Sequence, residues 1–162
     1  MAASLSLRVY TSTGPTESAT KTGIDLISAD NDTNSLANRQ ANPITVGTNS
    51  YEKWLKLKID TAPANGVSNF KIWGDGATDA STTLKFTSNY VAYQQGTTAS
   101  STVANALLNT YTAGGTKATW DTASYSATNA TTKFVVFQLQ VDSTANPGNW
   151  TQETISYSYD EI

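Results

Sequence analysis

Apolar and polar residues alternate with a period of two along most of this chain. Leu5, Leu7 and Val9 alternate with Ser4, Ser6, Arg8 and Tyr10, the pattern of a strand with one face buried. A second strand is expected from about Glu52 to Asp60, with Leu55, Leu57 and Ile59 on one face. A third runs near Val67 to Gly74, where Phe70 and Ile72 alternate with Lys71 and Trp73. Thr82 to Ser88, a short run at Tyr90 to Tyr93, and Lys117 to Asp121 add further strands. Thr131 to Asp142 is the longest apolar segment. Val135, Phe137, Leu139 and Val141 share one face, and Phe134 and Val136 begin the other, so this strand should be buried on both faces at its start. Trp150 to Tyr159 closes the list, with Ile155, Tyr157 and Tyr159 on a common face. Thr102 to Tyr111 carries Val103, Ala106, Leu107 and Thr110 at helical spacing and is the candidate for one short helix. Turn chemistry separates these runs at Pro63 to Gly66 and at Asn146-Pro147-Gly148.

Seven to nine short strands, at most one short helix and no internal repeat predict an all-β protein. The expected architecture is a β-sandwich of jelly-roll type, forming a single domain over residues 1–162. Composition agrees. Thr, Ser and Asn number 27, 17 and 13, and charged residues make up only 14% of the 162 positions, which suits strands and polar loops better than long helices.

The chain has no cysteine and no histidine. Disulfides, thiolate nucleophiles, Cys/His zinc sites and histidine-based triads are therefore excluded. A net charge of −3 lacks the basic excess of a nucleic-acid binder. No apolar run approaches the roughly 18 residues of a membrane span. The first ten residues lack a basic segment followed by an apolar one, so no signal peptide is expected.

Local motifs dissolve on inspection. Asp30-Asn31-Asp32-Thr33-Asn34-Ser35 opens like a calcium-binding EF-hand loop, but Ser35 stands where Gly belongs and Ala41 where the bidentate Glu belongs. Asp75 and Asp79 read as turn formers. Ser18-Ala19-Thr20-Lys21 spells a Ser-x-x-Lys motif, yet Lys21-Thr22-Gly23 would ask one lysine to serve two roles. Sequons at Asn31, Asn129 and Asn149 are what 27 threonines produce by chance. No catalytic constellation, metal site or cofactor is expected.

Two features point outward. If the strands ending at Asp60 and beginning at Val67 pair directly across the intervening turn, Trp54 faces Trp73 and Lys56 faces Lys71 on the side away from the core. That basic and aromatic face suits an acidic partner, or serves only to keep a strand soluble. The 16 aromatic residues fill the core or, where exposed as at Tyr157 and Tyr159, offer platforms for sugar rings. The second feature is the stretch from about Ala29 to Thr48, which has no period. Leu36, Arg39 and Ile44 are its isolated anchors, and Pro43 biases Asn42 towards extended backbone. It is read as an arm lying against another subunit, or as a long loop over its own sandwich.

Two stretches taken together, Asn49–Ile59 continuing into Ser68–Trp73, and Phe134–Val141 with the tail Thr154–Ile162, resemble small virion proteins of tailed bacteriophages that decorate or cement the capsid shell. The resemblance implies a β-rich, non-enzymatic protein, made in the bacterial cytoplasm, that binds the major capsid protein or other virion subunits, often as a symmetric homo-oligomer. The same residues fit a tail or fibre component. The alternative of a different class is a carbohydrate-binding sandwich module. The residues offered for partner binding are Leu36, Arg39, Ile44, Trp54, Lys56, Lys71 and Trp73.

Overall fold

A computed structural model describes residues 2–76, 81–99, 106–146, 148 and 152–162. Its strands are β1 (Ser4–Thr11), β2 (Thr16–Glu17), β3 (Lys53–Thr61), β4 (Val67–Gly74), β5 (Thr82–Tyr90), β6 (Ala106–Leu107), β7 (Ala118–Asp121), β8 (Phe134–Val141) and β9 (Ile155–Glu161). All pairs are antiparallel, in a six-stranded sheet of order β2-β1-β3-β8-β5-β6 and a three-stranded sheet of order β7-β4-β9. The two sheets pack as a β-sandwich. From β3 onward each connection crosses from one sheet to the other except that between β5 and β6, which stays in the larger sheet. Six strands thus pack against three.

The alternating residues build the core between the sheets. Leu55, Leu57 and Ile59 of β3, Phe70 and Ile72 of β4, Leu84 and Phe86 of β5, and Val135 and Phe137 of β8 form one buried cluster with Trp120. β8 lies between β3 and β5, and Phe134 to Leu139 are all buried. The two-sided apolar start of this strand is thus the mark of a central position with both faces covered. At the end of β7, Asp121 is fully buried and accepts hydrogen bonds from Lys133 N (2.7 Å), Ala123 N (2.9 Å) and the Tyr125 hydroxyl (2.6 Å). Burial pushes its pKa up, but these donors outweigh that and hold it below the usual carboxylate range. The β7–β8 connection is therefore folded around an anion.

Two expectations are corrected, and a third segment, read in two ways, is found bonded to its own chain. First, β3 and β4 do not form a hairpin but lie in different sheets. A two-residue type I′ turn needs positive φ at both central residues. Of Asn65 and Gly66 only Gly66 has it (+99°), and the turn that forms is closed by Gly66 N donating to Pro63 O (3.1 Å), with Ala64 and Asn65 at its centre. β4 then starts where Val67 exchanges hydrogen bonds of 2.9 Å with Tyr125. Leu57 and Phe70 still meet within one core, across the sandwich and not as register neighbours.

Second, the helix is elsewhere. Residues 102–105 of the expected helix lie outside the described residues; Ala106–Leu107 pair with β5, and Leu108–Thr110 form one 3-10 turn. Leu108 is fully buried in the core, while Leu107 of the expected helical face is exposed. The α-helix, α1, spans Leu36–Ala41 and is capped by the Ser35 hydroxyl, which accepts from Asn38 N (3.1 Å).

Third, the 29–48 stretch folds over its own sandwich. Ser28 N donates to Asn42 O, Val141 N to Thr48 O, and Arg39 pairs with Asp25 at 2.8 Å. Lys53, 1% exposed, donates from Nζ to Ala29 O (2.8 Å) and Asn31 O (2.7 Å). The last strand begins at Ile155; Trp150 and Pro147 lie outside the described residues.

Candidate functional site

Which sheet faces remain open decides where this domain meets anything else. The outer face of the six-stranded sheet is covered by the chain itself around Trp54 and Gln138, while Lys58 and Lys85 remain half-buried. Trp54, Phe134 and Val136 form a second buried cluster there, with Tyr10, Tyr90 and Tyr93 packed around them. Tyr93 has left the sheet and lies edge-on to Trp54 at 5.5 Å, its hydroxyl donating to Ser12 O (2.9 Å). Farther along, the Gln138 amide, fully buried, donates to Ala99 O (2.9 Å) and Ser50 O (3.2 Å). Gly96 lies so close to β3 that a Cβ would sit 2.6 Å from Glu52 O. The loop after β5 is a lid on this face.

Trp54 is therefore 0% exposed and is a core residue, not a contact surface. Lys56, its neighbour on that face, lies 4.2 Å from the Phe134 ring centroid, and burial lowers its pKa. Leu36 (57% exposed) and Arg39 stand on α1, and Ile44 is half-buried after it. The structure brings neither group beside Lys71 and Trp73, which belong to the other sheet.

The outer face of the three-stranded sheet is different. Ile72 points inward from β4, so Lys71 and Trp73 point out. A bulge between Ser68 and Lys71, with Asn69 at φ +53°, sets this register against both neighbours. Lys71 Nζ donates to Thr119 Oγ1 of β7 (3.1 Å), and Lys117 Nζ lies 4.1 Å from the Trp73 ring centroid. Ser156 and Ser158 of β9 are the cross-strand partners of Trp73 and Lys71. On this face Lys71, Trp73 and Lys117 are half-buried and Thr119 is exposed. It carries two lysines, an indole and small hydroxyls, with Asp160 at its far end bonded to Asn69 (2.7 Å).

Beside it a cleft of about 400 Å³ opens between β5 and β7, lined by Phe86, Ser88, Ala106, Tyr111, Lys117 and Thr119. Ser88 Oγ donates to Thr119 O (2.6 Å) across its floor. Face and cleft share Lys117 and Thr119 and form one continuous candidate surface. Sequence alternation found Lys71 and Trp73. It missed Lys117, which precedes β7 and reaches Trp73 only through the β4–β7 pairing.

Chemistry elsewhere is sparse. Among the described residues no cluster of three or more acidic side chains is placed to hold a metal ion. Asp32 pairs with Lys21 (2.9 Å), Asp30 accepts from Ser12 N (3.0 Å), and Asn34 accepts from Arg39 (3.2 Å). These calcium-like ligands thus face protein donors. Glu153 is a buried carboxylate whose oxygens find no partner among the described residues, and burial together with Asp75 pushes its pKa to about 7. In comparisons with known proteins, no family model, no curated protein and no solved structure matches this chain.

Proposed function

We propose that this chain is a non-enzymatic virion structural protein that binds a phage capsid shell and stabilises it, docking through the outer face of the three-stranded sheet. The observation that carries the docking face is its cluster: Trp54, the aromatic on the outer face of the larger sheet, is buried under the chain's own loops, while on the smaller sheet Trp73 stays half-buried with Lys71 and Lys117 half-buried beside it and Thr119 exposed. A flat patch with an aromatic centre and flanking cations fits an acidic protein surface, where Trp and paired charges contribute most of the binding energy. The resemblance to decoration proteins supplies the partner, the major capsid protein, and the virion surface as location. Its stretches include β4 and β9, two of the three strands that form the face. Repetition of one modest contact over a symmetric shell provides avidity without a strong single site.

Carbohydrate binding is the second reading, favoured by Trp73 and the hydroxyl-lined cleft. Three observations weigh against it. Lys117 sits over the Trp73 ring where a sugar would stack. Trp54 is buried. Tyr159 turns inward, donating to Ala3 O (3.2 Å).

Purified protein is expected to bind expanded capsids at fixed stoichiometry and to raise their disruption temperature. Trp73→Ala and Lys117→Glu should each abolish that binding while leaving the circular dichroism unchanged. Absence of capsid binding by the parent chain would remove this reading. Quenching of tryptophan fluorescence by a host polysaccharide, lost in Trp73→Ala, would replace it with the second.

A further inference from the structure

We infer that β9 is a self-association edge, through which two copies of this chain pair antiparallel about Ser158 and join their three-stranded sheets into one. The directions of its peptide groups come first. Ile162 N donates to Gly66 O (3.0 Å), so that peptide faces β4. Gly74, the register partner of Ile155, instead turns its N–H away from β9, to Tyr111 O (3.0 Å). Peptide groups alternate sides along a regular antiparallel strand, and the extra residue at the β4–β9 bulge lies in β4. Ser156, Ser158 and Asp160 therefore bond β4, while Ile155, Tyr157, Tyr159 and Glu161 present N–H and C=O outward. Among the described residues no backbone group bonds that edge.

In the larger sheet the strands next to the edges carry covering segments, and at β7, the other edge of the smaller sheet, Thr119 O accepts from Ser88 Oγ (2.6 Å). Ser18 N and Lys21 N bond Val9 O and Leu7 O along β1, and β6 covers part of β5. β9 has seven residues, Ile-Ser-Tyr-Ser-Tyr-Asp-Glu, with no proline, lysine or bulge, the usual devices against edge pairing. Tyr157 is 38% exposed although its register partner Ile72 is fully buried. Its ring leans towards Trp120 of β7, edge-on at 6.4 Å between centroids, and leaves the edge backbone of β9 uncovered by its own side chain.

The sequence of β9 then selects a second copy as the occupant and fixes the register. Centred on Ser158, all seven residues pair. Tyr157 of each copy meets Tyr159 of the other, Ser156 meets Asp160, and Ile155 meets Glu161. Two aromatic cross-strand pairs form and no like charges are opposed. The Asp160 side chains of the two copies stand about four residues, roughly 13 Å, apart along the strands. Centring on Tyr157 instead sets Glu161 against Glu153. Centring on Tyr159 leaves five residues paired, and centring on Asp160 sets that carboxylate against itself. The Ser158 register would also place two Lys71–Trp73–Lys117 patches on one surface. The inference does not depend on what that surface binds.

The chain contains no cysteine, so a single introduced one is a clean reporter. Opposite itself in a non-hydrogen-bonded pair, residue 158 has a Cα separation of about 4.5 Å, within disulfide range. The expected results are a solution mass twice 17.2 kDa by light scattering, and rapid disulfide dimers for Ser158→Cys under mild oxidant. Ala64→Cys, in the exposed turn before β4, should stay monomeric. Ser156→Glu, which sets a charge against Asp160 twice, should weaken association roughly two- to thirtyfold, and Ser156→Lys should tighten it. A monomeric mass up to the solubility limit would overturn the inference. So would a dimer that Ser158→Cys does not cross-link, or one that the two Ser156 variants shift in the same direction. Capsid binding by a strictly monomeric chain would leave the proposed function standing and this inference refuted.

Discussion

Lys53 shows how one side chain ties a loop to a sandwich. Its inward parity on β3 would place an apolar residue in the core, but the ammonium instead meets the carbonyls of Ala29 and Asn31. Burial lowers its pKa to about 8, against the opposing pull of Asp30, Asp25 and Asp32. Lys53→Met removes a buried charge yet strands two carbonyls, each costing about 1–3 kcal/mol when left unsatisfied. The net expectation is destabilisation by about 1–3 kcal/mol, with faster tryptic cleavage after Arg39 as residues 29–48 loosen. The pH dependence has a definite sign. Between about 8 and the unfolded value of 10.5 the unfolded chain binds the extra proton, so the parent gains stability as pH rises and the Met variant does not. Denaturant titrations at pH 8 and 10 check both statements; equal slopes in the two proteins would refute the second. Glu153 works in the opposite direction. Its folded pKa of about 7 exceeds the ordinary 4.5, so the parent loses stability as pH climbs from 4.5 to 7. Glu153→Gln should match the parent near pH 4 and melt higher at pH 8. A melting temperature unchanged at pH 8 would mean that the carboxyl is solvated.

At the scale of elements, β9 is the thinnest part of the smaller sheet, bonded on one side to β4. It nevertheless supplies Ile155 and Tyr159 to the core, with Tyr159 lying against Phe70 at 6.3 Å. Removing residues 155–162 strips those side chains and bares the edge of β4, where Phe70 and Ile72 alternate with Lys71 and Trp73. The truncated chain is expected to be insoluble on expression. If it stays soluble and melts at the parent temperature, β9 is not a structural strand. The period-two pattern made β4 legible to its ends, Val67 to Gly74. It made α1 invisible, because six residues with no buried side chain leave no apolar stripe to read. The Ser35 cap was its single signal.

Across the whole molecule, two clusters of buried side chains sit on opposite faces of the six-stranded sheet and share its strands. Trp120 belongs to the inner cluster and Trp54 to the outer one. Val135 and Val136, adjacent in β8, point into one cluster each, so neither can loosen without disturbing the strand common to both. Unfolding should therefore be a single transition, with tryptophan fluorescence and far-ultraviolet circular dichroism coinciding in denaturant. An earlier fluorescence change, abolished in Trp54→Phe, would identify the outer cluster as a separately melting layer.

Local alternation alone determined the all-β class, most strand positions, the buried character of β8 on both faces, and the outward parity of Lys71 and Trp73. These depend on neighbours two residues apart, where side-chain direction is set by the backbone itself. Tertiary structure decided everything that rests on what lies beyond a strand. Trp54 has the same parity signal as Trp73, yet the loop carrying Tyr93 buries one, while the other stays half-buried under the Lys117 ammonium. The turn at Pro63 to Gly66 carries β4 into the opposite sheet, where Val67 exchanges hydrogen bonds with Tyr125 and stands in register with Glu161 of β9 instead of with β3. Lys117 joins the open face through pairing with a strand more than forty residues away. Alternation distinguishes the two faces of a strand; only long-range packing decides which of them meets water.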